Sequence, residues 1–384
     1  MKYKNFEIHR ISWVTAIFLV STLLVTFIAL PLYIIKTPSE AIHWPFQLSL
    51  FFFYVIATGL SITLGYHRLF SHISFKAKWP VKLFTLLFGA ASFENSVLDW
   101  ASDHRDHHKF VDKENDPYDI SKGFFYAHMG WLIFKLRPPR RHDNVKDLEK
   151  DPLVMWQHKY VQWIAMFMSF VLPAVIGGVY GGATTALGAF LIAGVARIVI
   201  VQHSTFLINS ICHTMGKRPY STRSSARDSA LVAFLTFGEG YHNFHHTFQH
   251  DYRNGVKPWQ FDPTKWTIWL LSKFKLVDSL RRVPQHKIVL AELMEGQSQI
   301  EDHLSTWVSR LPESTRKLKE DTLRSIQEIS EELAQYCKEL QTSTKERIQV
   351  SQTSLQEWRK TVAQTLKTLE ELRGQCWVPE LEKA

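Results

Sequence analysis

Eight of the eighteen histidines in this 384-residue chain fall in three tight groups: His67-Arg68-Leu69-Phe70-Ser71-His72, His104-Arg105-Asp106-His107-His108 and His242-Asn243-Phe244-His245-His246. At this histidine frequency an H-x-x-H-H string arises by chance roughly 0.04 times in a chain this long, and here it occurs twice. Residues at i, i+3 and i+4 share a helix face, so each H-x-x-H-H is expected to present three imidazoles in one direction, as half of a metal site. The first group spaces its histidines five apart, about 140° around an ideal helix, which predicts that His72 sits where the helix ends and the chain bends. A ninth candidate is His213, which shares a helix face with Asn209 in Asn209-Ser210-Ile211-Cys212-His213.

Nine imidazoles exceed the four to six ligands of one ion and suit two first-row ions. Imidazole accepts zinc, copper, iron or nickel, so the ligands alone do not choose the metal. Iron is favoured, because a site beside apolar chain calls for redox chemistry and zinc offers none. Asp103, Asp106 and Glu239 stand beside the groups and are candidates to accept the second ring N–H of a ligand, fixing its tautomer and orientation. His128, His158, His203 and His250 lie outside the groups and read as structural or surface residues.

The elements that must position these histidines are apolar. Four stretches are long enough to cross about 30 Å of hydrocarbon, roughly 12–35, 44–66, 160–180 and 183–203. They pair into two hairpins with short links near Lys36 to His43 and at Gly181 and Gly182, which places both termini and both long polar segments on one side. Lys2, Lys4, Arg10, Arg137, Arg140 and Arg141 flank the spans there, so that side is expected to be the cytosol, and every histidine group falls on it. The run Val81 to Phe93 is too short to span and reads as an interfacial or re-entrant helix. After Pro284 the chain turns to Glu, Lys, Gln, Ser and Leu, with Leu318, Ile326, Ile329 and Leu333 at irregular helical spacing. A solvated amphipathic tail packing on the cytosolic domain is favoured there over a coiled coil.

The resulting expectation is an all-α integral membrane protein with four transmembrane helices. A cytosolic helical cap holds a histidine-rich di-metal site in residues 1–288, and 289–384 form a helical extension. The formal charge of +9 fits cytosolic loops facing lipid headgroups and a polyanionic ligand; no zinc-finger or RNA-recognition signature supports a nucleic-acid partner. Only Cys212, Cys337 and Cys376 occur, without paired spacing, which argues against a disulfide framework or thiolate metal site. The first apolar run is too long for a secretory signal core and reads as an uncleaved span.

From Ile42 to Pro284 the chain closely resembles the membrane acyl-CoA desaturases of the stearoyl-CoA type. The resemblance rests on the three histidine groups with their flanks, Trp100-Ala-Ser-Asp-His104, Gly123-Phe-Phe-Tyr-Ala-His-Met-Gly-Trp131, Asn209 to His213, Arg218-Pro-Tyr220 and Gly238-Glu-Gly-Tyr241. It implies two irons held by His67, His72, His104, His107, His108, His213, His242, His245 and His246, with Asn209 contacting one iron through water. It also implies a bent acyl tunnel beneath the metals, shaped here by Trp100 and Thr205 with Glu94 and Asn95 nearby; the family usually has Gln where this chain has Glu94. Val55, Thr58 and Ile62 would bear on its depth. The implied reaction is an oxygen-dependent cis, delta-9 desaturation of a fatty acyl chain, carried as acyl-CoA, in a bacterial inner membrane or the endoplasmic reticulum. No haem-binding His-Pro-Gly-Gly segment is present, so a separate ferredoxin-like or cytochrome-b5-like protein is the expected electron donor. Lys135, Arg137, Arg140, Arg141, Lys217 and Arg218 are candidates for binding coenzyme A phosphates or that donor. A histidine-rich membrane hydroxylase of lipid or alkyl chains and a non-catalytic membrane metal-binding protein stand as alternatives.

Overall fold

The computed structural model describes residues 10–136 and 142–310 and scattered single positions between 324 and 364. Lys2, Lys4, Arg137, Arg140, Arg141, Leu318, Ile326, Ile329, Leu333, Cys337 and Cys376 lie outside the described residues. The described chain is mostly helical, with a single two-stranded antiparallel pair among the described residues.

Three helical stretches among the described residues are long and apolar enough to cross a membrane: α1 (Trp13–Lys36), α2 (Ser39–Ser71) and a third of 62 residues, Pro152–His213. Along α1 large apolar side chains face outward, with Val14 84%, Ile35 78% and Phe27 70% exposed. A water-soluble helix would bury such a stripe; a helix bathed in lipid leaves it uncovered. α2 runs past the expected end near residue 66. After a left-handed break at His43 (φ 56°), the continuous run 44–71 joins 17 α-helical and 11 π-wound residues, 28 in all, roughly 40 Å at 1.5 Å per residue, more than the hydrocarbon needs, and the surplus carries Tyr66, His67 and Arg68.

The third stretch doubles back within itself. Gly181 (φ −150°, ψ 23°) and Gly182 (φ 78°, ψ −166°) break the helix, and the second is a conformation that side-chain-bearing residues rarely adopt. The two limbs then lie side by side, with Gly194 facing the Ser169 carbonyl. The turn thus falls at the Gly-Gly pair that the sequence points to, while both limbs outlast the expected spans 160–180 and 183–203.

The third stretch is α5 (Pro152–His213); the shorter elements are α3 (Trp79–Ala90), α4 (Val97–Phe110), α6 (Ala230–Leu235), α7 (His242–Thr247), α8 (Pro263–Lys273) and α9 (Gln285–Arg310). α3 covers the run read as interfacial, and it packs tightly on α2, where a Cβ on Gly65 would strike Thr85 and one on Gly89 would strike Tyr66. Leu64, Leu69 and Phe70 of α2 join Leu86 of α3, Val97, Leu98 and Ala101 of α4 and Ile268 of α8 in one buried cluster. β1 (Lys76–Ala77) pairs with β2 (Val277–Asp278), and Ala77 and Val277 pack into this cluster.

Two compact units result. One comprises the described residues up to Lys217 together with Ser224–Arg282; the other comprises Arg218–Arg223 and the chain from Val283, chiefly α9.

Candidate metal centre

Local structure aims each histidine. His67 lies in the last part of α2, where the helix winds to a π pattern, and the N–H of His72 donates to the His67 carbonyl at 3.1 Å, five residues back. That wider winding brings the rings to 4.8 Å between centroids, so the i, i+5 pair shares a face although an ideal α-helix would separate it by about 140°. His72 is the C-cap, at the helix end where it was expected. α4 starts at an N-cap, Ser96, whose side chain accepts from the Asp99 N–H, and it carries His104, His107 and His108. α7 is held by Asp228, whose Oδ1 accepts the N–H groups of Asn243 (2.7 Å) and Phe244 (3.1 Å). His213 stands at the end of α5.

All nine imidazoles converge, and they sort into two groups: His67, His72, His104, His108 and His245, and His107, His213, His242 and His246. This differs from the expectation that each H-x-x-H-H points in one direction. In α4 the i, i+4 pair joins the five-histidine group and His107 crosses to the other; in α7 the i, i+4 pair joins the four-histidine group and His245 crosses. Positions i+3 and i+4 are about 100° apart on the helical wheel, so one motif can serve two centres on its two flanks. Within the groups, Nε2 atoms face one another: His72 to His104 at 2.8 Å, His245 to His108 at 2.9 Å, His67 to His245 at 3.0 Å, and His246 to His242 at 3.0 Å, His242 to His213 at 3.1 Å and His107 to His246 at 3.3 Å.

The donor set fits metal ions. With metal–imidazole bonds of about 2.1 Å, neighbouring ligands of an octahedral ion stand roughly 3 Å apart, which is the spacing these nitrogens adopt. Burial, with the neighbouring histidines adding to it, holds His72, His104, His108, His242, His245 and His246 well below the usual imidazole range. They are therefore neutral near pH 7 and offer lone pairs rather than protons.

Outer residues fix the ring orientations. Glu239 lies with Oε2 2.7 Å from His67 Nδ1, and the buried Arg68 guanidinium grips Glu239 Oε1 (2.8 Å) and Asp262 Oδ1 (3.0 Å). Burial alone would raise the Glu239 carboxyl, but Arg68 and His67 outweigh it and hold it below the usual range. Glu239 is one of the three carboxylates the sequence singles out; of the others, Asp106 accepts from Asn144 Nδ2 (2.9 Å) and Asp103 lines the cavity described below. Two further orienting groups belong to no motif. Asp116 Oδ1 pairs with His107 Nδ1 at 2.8 Å, and its carboxyl is lowered because His107 and two backbone N–H groups outweigh the effect of burial. Ser225 Oγ meets His213 Nδ1 at 2.7 Å and is itself bonded to Asp112. Both lie in loops, where no periodicity announces a partner. Their one signal is chemical: an Asp and a Ser within a dozen residues of a histidine group.

The four histidines read as structural or surface residues are tied into the fold: His250 Nδ1 to the His72 carbonyl (3.0 Å), His128 Nε2 to His203 Nδ1 (3.0 Å) and His158 Nδ1 to Ser96 Oγ (2.7 Å).

A cavity of about 1300 Å³ reaches His67, His104 and His242 from apolar walls that include Phe18, Val55 and Met166. Trp100, Thr205, Glu94, Asn95 and Asn209 all line it, as does Ile62; Thr58 is buried within α2 with its hydroxyl on the Tyr54 carbonyl. Glu94 ties the first two together, accepting from Trp100 Nε1 at 3.1 Å and from Thr205 Oγ1 at 2.9 Å, and the Trp100 ring stacks on His104 at 4.8 Å. Burial pushes the Glu94 carboxyl up to about 7, against the two hydrogen bonds.

Membrane-length helices, two histidine groups able to hold metal ions and an adjoining apolar cavity point to a metal-binding membrane protein. The sequence profile of the fatty acid desaturase family matches residues 42–269, and the chain belongs to that family. It is 45% identical over 237 residues to a probable acyl-CoA desaturase of Schizosaccharomyces pombe, covering 61% of this chain and 49% of that protein. It is 36% identical to the stearoyl-CoA desaturase of Homo sapiens (62% of this chain, 67% of that one) and 39% identical to the Delta(9)-fatty-acid desaturase fat-7 of Caenorhabditis elegans (55% and 64%). The chain thus spans about half the length of the fission-yeast relative.

Proposed function

We propose that this chain is an oxygen-dependent acyl-CoA desaturase that introduces a cis, delta-9 double bond into a saturated acyl chain. The observation that carries the reading is the pairing of a five- and a four-histidine group at a cavity large and apolar enough for a lipid chain. Two irons, held by the nine histidines with Asn209 acting through water, would supply the oxidising power for an unactivated C–H bond. In balance, the –CH2–CH2– unit, one O2, two electrons and two protons give –CH=CH– and two waters, the electrons coming from a separate donor protein.

The chain's own residues have three tasks. The apolar wall binds the acyl chain and keeps water away from the reacting carbons. Trp100, locked between His104 and Glu94, and Thr205, locked by Glu94, shape the wall beside the histidines, so that one C–C bond alone comes within reach. Glu239, Asp116 and Ser225 hold the ligand rings, and Lys135 lines the cavity where a phosphate of the headgroup would sit.

In this reading α1, α2 and the two limbs of α5 make four crossings, both termini and the histidine centre face the cytosol beneath a helical cap, residues 1–288 form the desaturase domain, and 289–384 extend it. Incubating the purified, metal-analysed protein with stearoyl-CoA, oxygen and a reducing system tests it by mass spectrometry. A monounsaturated product with about two irons per chain is the expected outcome. A hydroxylated product would assign a hydroxylase, and tightly held zinc without turnover would assign a non-catalytic metal protein.

A further inference from the structure

Midway along its second limb, between the Gly182 turn and His213, α5 carries an arginine that the proposed reaction leaves without a task. Arg197 is fully buried, and among the described residues no carboxylate pairs with it. Its Nε donates to the Ala193 carbonyl (3.1 Å), its Nη1 donates to the Ala91 carbonyl (2.6 Å), and its Cζ stands 5.3 Å from the centre of the Tyr54 ring. Nη2 and the Tyr54 hydroxyl have no hydrogen-bond partner among the described residues. An ionisable side chain in the middle of a membrane-length helix costs stability unless it is paired, so its retention points to a task.

Satisfying a helix end does not explain it. Ala91 is the C-cap of α3, and its carbonyl already accepts from Ser169 Oγ at 2.8 Å. The next two carbonyls, of Ser92 and Phe93, accept from the neutral Gln202 Nε2, each at 3.2 Å, and that of Asn95 accepts from the Tyr66 hydroxyl at 3.3 Å. What arginine adds is charge: a cation at the C-terminal end of α3 is attracted by the helix dipole and holds a carbonyl more firmly than a neutral donor does. The backbone being gripped is strained. Phe93 (φ 57°) and Asn95 (φ 69°) are both left-handed, which side-chain-bearing residues sustain only where the surroundings hold them. Phe93, Glu94 and Asn95 all line the cavity, and Glu94 is the acceptor that joins Trp100 to Thr205.

We propose that Arg197 is a positioning residue for the acyl chain: with Ser169 and Gln202 it clamps the left-handed turn 91–95, and so decides which C–C bond lies beside the histidines. The inference rests on the desaturase reading above. A reacting bond displaced by about 1 Å can cost on the order of 100-fold in rate. Loosening the turn should therefore slow turnover and let neighbouring bonds take the reactive place, while the histidines keep their metal.

The test uses the purified full chain with stearoyl-CoA, oxygen and a reducing system, and reads kcat, KM and double-bond position, with metal content and thermal unfolding in parallel. Arg197→Met removes both the clamp and a buried cation that lacks a carboxylate. It should keep its metal and unfold at no lower temperature than the wild type, yet lose about 10–100-fold in kcat with little change in KM, and give a mixture of positional isomers. Arg197→Lys keeps a cationic donor for the Ala91 carbonyl and should restore a single isomer. If Arg197→Met does not fold, Gln202→Leu frees the Ser92 and Phe93 carbonyls and carries the same expectation for the isomers. A single isomer at the wild-type rate, or activity lost only in proportion to folded protein, overturns the proposal and leaves the desaturase reading standing. A wild-type chain that makes no unsaturated product overturns both.

Discussion

The two histidine groups share their helices yet differ in what holds them. The five-histidine group is tied to the interior: His67 leans on Glu239, which is gripped by Arg68, and Arg68 also binds Asp262 and the Tyr252 carbonyl, while Asn254 donates to Glu239 at 2.7 Å. Every one of these side chains is buried. The four-histidine group is tied to loops instead, His107 to Asp116 and His213 to Ser225, which Asp112 holds in turn; Ser225 and Asp112 are only half-buried. A group wired into the core shares the cooperativity of the whole fold; one wired to loops can change its hold on a ligand locally. The difference predicts unequal metal affinities within a single centre.

The most damaging way to break the comparison is Arg68→Ala. It leaves Glu239 and Asp262 buried without their cation, a change that typically costs about 3–5 kcal/mol. Chemical denaturation should show a loss of that order, with both metals lost together because the core itself is weakened. Retention of the four-histidine ion in a destabilised protein would show the two groups to be more independent than their shared helices suggest.

Asp116→Asn sharpens it from the other side. Metal titration should show about 10–100-fold weaker binding of one ion only, with little change in unfolding. Acid should act in the same direction. The folded Asp116 carboxyl lies below its ordinary 3.8, so its contribution is complete above that pH and is lost as pH falls through the lower, folded value. The Asn variant should be blind to that loss.

The smallest effect belongs to Glu94→Gln, which touches neither group directly and should leave the metal content unchanged. The Glu94 carboxyl is raised from 4.5 to about 7, so folding favours its neutral form and stability declines as pH rises from about 4.5 to 7. Glutamine is neutral throughout, and above pH 7 the variant should be the more stable by on the order of 2 kcal/mol, allowing for partial exposure. Thermal unfolding across that range would read it; a parallel pH profile in both proteins would show that Glu94 is ionised at little cost.

The histidines and the apolar helices were plain in the sequence for the same reason: both are repeated signals. Two H-x-x-H-H strings and long uncharged runs need no partner to be recognised, and Gly181-Gly182 marks a reversal because only glycine takes φ 78° with ease. The orienting residues were less visible. Glu239 was found because it stands three residues before His242, whereas Asp116 and Ser225 reach their histidines from nine or more residues away through irregular chain. Glu94 looked like a departure from the family; in place it is the common acceptor that joins Trp100 to Thr205, which lies 111 residues from Glu94 in sequence.

What the sequence determined by itself was the inventory: which side chains can bind metal, which runs belong in lipid, and that the two meet. What the tertiary structure decided was the partition. A helical wheel gives a residue's direction but not what waits there, so nothing in H-x-x-H-H says that His107 and His108 part company, or that π winding brings His67 and His72 to one face. Those outcomes depend on where neighbouring helices place the other imidazoles, and that placement is fixed by the packing of α2, α3, α4 and α8, a property of the whole chain at once.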